Sequence, residues 1–507
     1  MLRVTHKLPG ICSTYIRGPA PPERENKPAI NQLPPEVLSC IMLIGVESDG
    51  RVWRWESPGV GSQQVAAQVC RYWHHVAIST PGLWTFIHIK TVLLKHPISL
   101  YLFRAGPSAL LDIVIDMPSQ SHLHDQDGES FRHILCSLAT LGASSDRWRT
   151  LFIRPHKDHS KIYSGLANFF HQNSASSLQR LRLDSSKGTD TSFRIHGPIG
   201  NTGTRDSEDF RASGPSLTNL RCLEVILRSY GPTVPPTLAR EFTKLTTLSI
   251  TYKLDQTELS NILLSNPYLE SLQLDEDKDY SFSDISLQQS SINLVRHATA
   301  PALRSLFIHT KGGASWVLRM VTAIKAPALH QFSFGCADHH PEDLHCLVTY
   351  ITTGILPSHL TDSDSGRGPI YSSLQNLDVS GFACQKKDFE TLISSFPHLT
   401  HLSVCWKTVR RWDMNEAPRL LSNLQRLGFP DFPVTDTILM SFLSRGIEIA
   451  APIKEIGVRG GRLRLRTTPH KPPDFEIGRP WVNLGYEYYQ YEDGIIRGDL
   501  QSLQWTY

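Results

Sequence analysis

No run of about 18 apolar residues occurs in the chain, so no membrane-spanning helix is expected. A glycine loop ending in Gly-Lys-Ser/Thr, a Gly-x-Ser-x-Gly elbow and a His-Glu-x-x-His helix are all missing. Those gaps remove the usual phosphate cradle, hydrolase nucleophile and zinc helix, and they favour binding over catalysis. The expectation is a protein that is not an enzyme and uses no cofactor and no metal. Paired Cys-x-x-Cys spacing is also missing. The nine cysteines are odd in number and scattered, which reads as reduced, buried thiols in the cytoplasm or nucleus. Excess charge of either sign is small: 51 Lys and Arg stand against 48 Asp and Glu, a net charge of +3. Nothing global therefore points to nucleic acid or an anionic membrane as partner. The first residues carry Arg3, Lys7, Arg17, Arg24 and Lys27 around a proline-rich stretch, without a continuous apolar core of signal-peptide length, so secretion is not expected.

What is present is length and leucine. With 507 residues and 40% apolar content, the chain exceeds one ordinary core, and two or more units or an extended repeat array are expected. The first patterned stretch is Leu33-Pro34-Pro35-Glu36-Val37-Leu38. Prolines at that place suit the first helical turn, where a missing N–H costs least. Val37, Leu38, Ile41 and Met42 then fall on one side of a helix, and Val65, Val69, Tyr72, Trp73 and Val76 repeat the same period until Pro81-Gly82 stops it. Helices this short cannot bury all their apolar surface alone, and a helix-in-groove partner would cover the remainder.

The opening Leu33 to Leu38, together with Val69-Cys70-Arg71-Tyr72-Trp73 and Thr80-Pro81-Gly82-Leu83-Trp84, resembles an F-box, in particular the fungal form of that segment. The stretch from Val46 to Gln64, including Trp53 and Trp55, is longer than the connection in that pattern. The resemblance implies docking onto the Skp-type adaptor and cullin scaffold of a ubiquitin ligase, with transfer performed by partner proteins. The adaptor-binding set it implies is Leu33, Pro34, Val37, Leu38, Ile41, Val69, Trp73 and Trp84. The alternative is a leucine-rich-repeat binding or scaffold protein without a ligase role.

Beyond residue 100 one phrase recurs: an apolar residue, two others, an apolar residue, one other, an apolar residue. Copies open at Leu178, Leu220, Leu245, Leu269, Leu303, Leu329, Leu374, Leu399 and Leu424, and subtraction gives intervals of 42, 25, 24, 34, 26, 45, 25 and 25 residues. Pro267, Pro301, Pro327 and Pro397 each stand two residues before an opening leucine, where proline is expected to end a helix and start an extended segment. Residues 259–274 match 389–404 as helix, proline, strand, and Asp255 with Glu258 forms a candidate capping box. A strand-plus-helix unit of this period resembles the leucine-rich repeat. It implies a stacked solenoid in which each unit covers its neighbour's apolar edge. The array can start earlier, at Trp148-Arg149-Thr150-Leu151-Phe152-Ile153.

The expected fold class is α/β: a short helical F-box-like segment followed by an irregular leucine-rich-repeat solenoid with a parallel sheet, the alternative being an irregular α/β domain. The expected order is a disordered leader (1–29), the F-box-like segment (30–90), a connecting region that can hold early repeats (91–169), the solenoid (170–466) and an aromatic cap or tail (467–507). Residues 184–216 and 357–373 read as polar loops. Strand alternation puts Gln273, Asp275, Phe307, His309, Asp378, His401 and Ser403 on an exposed concave face, the candidate surface for an unknown protein cargo. Two other clusters, Cys336 with His339, His340, His345 and Cys346, and the arginines at 459, 462, 464 and 466, read as a loop and a solvated strand face.

Overall fold

A turn shared by successive repeats sets the register of the sheet. Leu269, Leu303, Leu329 and Leu399 donate their N–H groups to the carbonyls of Asn266, Ala300, Ala326 and Phe396, three residues earlier, at 3.1 to 3.2 Å. Pro267, Pro301, Pro327 and Pro397 therefore occupy the second position of a tight turn, where proline's fixed φ fits. The proline acts on the turn as well as on the end of the helix before it. Leu178, Leu220 and Leu374 close the same turn without proline, on Ala175, Leu217 and Tyr371.

The strand begins two residues after each opening leucine. In this computed structural model the described residues are 29–51, 62–89, 97–116, 127–154, 165–166, 169–170, 172–184, 217–226, 242–251, 254–276, 297–310, 313–336, 341–355, 368–405, 408, 423–433, 455–459, 461–466 and 474–478. The chain divides into two units, Met1–Ile87 with Lys95–Ala109, and His88–Leu94 with Leu110–Tyr507.

The strands are β1 (Phe86–Ile89), β2 (Leu111–Asp116), β3 (Trp148–Arg154), β4 (Arg180–Asp184), β5 (Cys222–Ile226), β6 (Thr247–Ile250), β7 (Ser271–Glu276), β8 (Ala298–Thr299), β9 (Ser305–Thr310), β10 (Ile324–Lys325), β11 (Gln331–Cys336), β12 (Asn376–Gly381), β13 (His401–Val404), β14 (Arg426–Pro433), β15 (Glu455–Arg459), β16 (Gly461–Arg466) and β17 (Asp474–Gly478). All but β8 and β10 join one 15-stranded sheet in chain order. Pairing is parallel from β2 to β15 and antiparallel from β15 through β17. β8 and β10 form a separate parallel pair.

One apolar ladder crosses this sheet: Ile113, Leu151, Leu181, Leu223, Leu248, Leu272, Leu306, Phe332, Leu377, Leu402 and Leu427 are register partners in turn. Every one is buried, as are all nine opening leucines. Each such side chain removes enough apolar surface from water to contribute roughly 1.5 to 3 kcal/mol. The carbonyls of Gln179, Arg221, Thr246, Glu270, Arg304, His330, Gln375 and Thr400 each accept two N–H groups from the next turn, extending the ladder past the strand starts.

Helices cover the ladder side: Gln256–Ser265, Ala314–Ala323, Pro341–Thr353 and Lys386–Ser394 pack in sequence, each against the next. The first begins with the expected capping box: Glu258 N donates to Asp255 Oδ1 at 2.7 Å, and Asp255 N donates to Glu258 Oε2 at 3.2 Å. The matched positions Leu259, Ile262 and Leu263, and Phe389, Leu392 and Ile393, are all buried beneath their helices. No helix among the described residues is long and apolar enough to cross a membrane. Strands β2 and β3 lie within the stretch expected to connect the two regions, so the sheet extends before residue 170. Of the expected loop at 184–216, Asp184 instead closes β4 and the rest lies outside the described residues; of the expected aromatic tail at 467–507, β17 is described and the rest, residues 479–507 included, lies outside the described residues.

Candidate functional site

The first candidate is the helical unit, whose helices are α1 (Pro35–Arg51), α2 (Ser62–Ala66), α3 (Arg71–Ile78) and α4 (Pro97–Ala105). On α1 the apolar residues divide between two faces. Leu38 and Met42 point inward and are buried, whereas Val37, Ile41 and Ile44, at i, i+4 and i+7, are 43%, 43% and 63% exposed. Val65 on α2 and Val69 just after it add 49% and 54% exposure. Such a face is what a groove-forming partner covers.

Beneath it the structure is tightly tied. Trp84 is buried, its indole N–H donates to Ala77 O at 2.8 Å, and the Arg104 guanidinium lies 4.3 Å over its ring. Tyr72 Oη donates to Leu33 O at 2.5 Å, and Ser39 and Thr80 hydroxyls are bonded at 2.9 Å. Of the expected adaptor set, Val37, Ile41, Val69 and Pro34 are exposed, Leu33 and Trp73 are half-buried, and Leu38 and Trp84 form the interior.

The single helix expected from Val65 to Val76 is two helices. Cys70 takes an extended backbone, φ −160° and ψ 174°, and its Sγ accepts from Trp73 N at 3.5 Å, so a new helix starts at Arg71. The break leaves Val65 and Val69 outside while Val76 turns inward. Residues 52–61, with Trp53 and Trp55, lie outside the described residues.

The second candidate is the polar side of the sheet, opposite the ladder. Gln273, Phe307, Ser333, Asp378 and Ser403 share one register row, and Asp275, His309 and Gly335 share the next. The expected cargo residues are thus brought together on β7, β9, β12 and β13. Gln273 Nε2 donates to Asp275 Oδ2 at 2.7 Å, His309 Nε2 lies 3.1 Å from Ser333 Oγ, and Asp378 Oδ1 accepts from Ser380 N and Oγ at 3.0 and 2.7 Å. His401 Nδ1 lies 2.8 Å from Thr400 Oγ1. The row is close-packed: a Cβ added at Gly381 would stand 2.7 Å from Gly335 Cα.

Phe307 corrects the expectation of exposure. It is 4% exposed, an apolar ring between Gln273 and Ser333 that gains by leaving water. It is therefore a packing residue of this face, and the accessible groups there are the half-buried Gln273, Asp275, His309, Asp378, His401 and Ser403.

Sequence reasoning passed over charged contacts that run from His88 on β1 to Glu224 on β5. Arg154 Nη1 lies 3.3 Å from Asp116 Oδ1, whose other oxygen lies 3.0 Å from His88 Nε2. Arg182 reaches Asp184 and Glu224, each at 3.2 Å. The two guanidiniums sit 5.3 and 5.0 Å from the Phe152 ring. The alternating Arg180-Leu181-Arg182-Leu183-Asp184 was the available signal, since charges at every second strand position share a face. In partly buried pairs of this kind the desolvation cost offsets much of the charge attraction.

Of the residues grouped as a metal-like cluster, Cys336, His345 and Cys346 are described, and Asp343 lies near both cysteines. Cys336 is buried at the end of β11, its thiol pushed up to about 12 mainly by burial, while His345 Nδ1 bonds Asp388 Oδ1 at 2.7 Å. His339 and His340 lie outside the described residues. The described cysteines are all free thiols. In β16, Arg464 pairs in register with Glu455 on one side and Glu476 on the other.

No family model matches the chain, and no curated protein matches it. Among solved structures, a chain in the crystal structure of the Rad7 and Elc1 complex from yeast is similar at 13% identity over 78% of this chain and 88% of that one. Its TM-score is 0.33, a resemblance too loose to carry an argument.

Proposed function

We propose that the chain is a substrate receptor of an SCF-type cullin-RING ubiquitin ligase. The helical unit docks on a Skp-type adaptor, and the polar face of the repeat sheet presents a protein cargo. The observation that supports this most is the second apolar face of α1. A helix that already buries Leu38 and Met42 also presents Val37, Ile41 and Ile44 to solvent, and Val65 and Val69, on and just after α2, are exposed as well. In a free-standing unit, exposing that row brings no gain; covering it in a partner's groove does. The adaptor, cullin and ubiquitin transfer all belong to partners, and no residue here performs chemistry. Free thiols agree with a role in the cytoplasm or nucleus.

The structure also selects the variant that tests this. Leu38 is fully buried, so replacing it reports on folding. The docking variant is Val37→Asp with Ile41→Asp, which puts charge on the exposed row only. In a pull-down with a purified Skp-type adaptor, the unaltered chain is retained and the double variant, with unchanged circular dichroism, is lost. Equal retention of a folded double variant removes the docking reading. Failure of the unaltered chain to bind leaves a repeat scaffold without a ligase role.

A further inference from the structure

The edge of the sheet at which the strands begin is basic over β3 to β6. Arg149, Arg180, Arg221 and Lys244 are exposed there on four successive turns. Register fixes their order: Thr150 pairs with Arg180 and Arg180 with Cys222, so Arg149 and Arg221, each one residue earlier, flank the β4 strand start. The N–H groups of Arg221 and Cys222 both bond Gln179 O, and those of Thr246 and Thr247 both bond Arg221 O, which holds adjacent turns side by side. With strands about 4.8 Å apart, four turns span about 14 Å.

Among the described residues, the acids on β2 to β5 are engaged with nearby cations, while Asp146, exposed in the turn that enters β3, lies beside Arg147. Asp184 and Glu224 hold Arg182, and Asp116 holds Arg154 and His88. Asp112 pairs with Arg149 at the end of the row. Glu270, on the following turn, is where the basic row stops. A chain whose net charge is only +3 thus collects exposed cations on one edge, centred on Arg180, Arg221 and Lys244.

We infer that this edge binds an acidic peptide segment in extended conformation. An extended chain advances about 3.3 Å per residue, so four or five residues cross the row and can set carboxylates against these cations. Nucleic acid fits less well, because single strands are gripped by stacking on exposed aromatic rings, and among the described residues the exposed side chains of this edge at β3 to β6 include none. Side chains carry the contact: the carbonyls of Gln179 and Arg221 already accept two N–H groups each. This surface lies within the repeat unit and stands independently of adaptor docking.

The test is fluorescence anisotropy of a labelled peptide of alternating Glu and Ser with the full chain at low salt. It is set against a neutral variant, Arg180→Gln with Arg221→Gln and Lys244→Gln, and a reversed variant carrying Glu at the same positions. We expect binding to the unaltered chain that weakens as salt rises, since exposed charges are screened. The neutral variant binds about tenfold more weakly, because it loses three exposed charge pairs that are each individually weak, and the reversed variant binds more weakly still. Thermal melts and circular dichroism establish folding; if reversal prevents it, the neutral variant decides. No binding by the unaltered chain, or equal binding by the folded neutral variant, overturns the inference. Tighter binding of an RNA oligonucleotide of equal charge, lost in the same variant, overturns it in favour of nucleic acid.

Discussion

Val37, Ile41 and Ile44 on α1 and Leu272, Leu306 and Leu402 in the sheet are the same kind of side chain in opposite circumstances. In the sheet, every apolar position of the ladder meets an identical position on the strands either side, and burial is complete. On α1 the inward face is satisfied by Leu38 and Met42, and the outer row has no repeated neighbour to meet. A repeat supplies its own partner; a short helical unit does not. The contrast explains why one region is a closed core and the other keeps an apolar row in solvent, though both are written in the same kinds of residue.

The sharpest way to break this contrast is Leu272→Ala. Truncating a fully buried rung should cost about 2 to 5 kcal/mol in chemical denaturation, with the spread set by how far the neighbouring strands collapse. A loss below about 0.5 kcal/mol, the range of ordinary surface changes, would mean the ladder is not the stabilising element.

Alkaline pH sharpens it differently, because shielded thiols lie in and next to the sheet: Cys336 and Cys384 are buried and Cys222 is half-buried. Burial raises Cys222, Cys336 and Cys384 from 9.0 to about 12, with Glu224 adding to the shift at Cys222. In the unfolded chain these thiols ionise near 9 and in the folded one near 12. The stability they contribute is therefore complete below pH 9 and falls as pH rises through that window. Urea midpoints of the sheet should decline from pH 9 upward; a midpoint flat to pH 11 contradicts the assigned burial.

The smallest expected effect is at Ile41→Ala. Its side chain is 43% exposed, so stability of the free chain should change by no more than about 0.5 kcal/mol, while adaptor retention weakens. A loss comparable to that at Leu272 would show that the outer row is interior after all.

Much of the sheet was legible in the sequence because its signal is simple. All nine opening leucines precede a strand by two residues, and the apolar positions that follow keep the alternation of a half-buried strand. The capping box at Asp255 and Glu258 was legible for the same reason, a local bond between residues three apart. What could not be read depended on unusual caps or on surroundings. Cys70 is a weak acceptor at a position normally given to Ser, Thr, Asp or Asn, so the break between α2 and α3 left no ordinary mark. Alternation placed Phe307 on the correct side of the sheet, but a face is not the same as an exposure, and the packing that hides the ring is not written in its period. The antiparallel turn of β15 to β17 was equally silent, since an alternating strand fits either pairing direction.

The doubly accepting carbonyls at the strand starts bear on how this chain can change in length. Ladder partners Phe332 and Leu377 are adjacent although their opening leucines are 45 residues apart, while Leu377 and Leu402 are adjacent across 25. Because each turn is tied to the next at its beginning, extra residues inserted between the end of one strand and the next turn leave the frame of the array unshifted. Loop closure grows only with the logarithm of length, so such additions cost little. The repeats therefore act as a reading frame with built-in splice points, at which whole segments can be gained, lost or exchanged during evolution or by engineering while every rung keeps its partner.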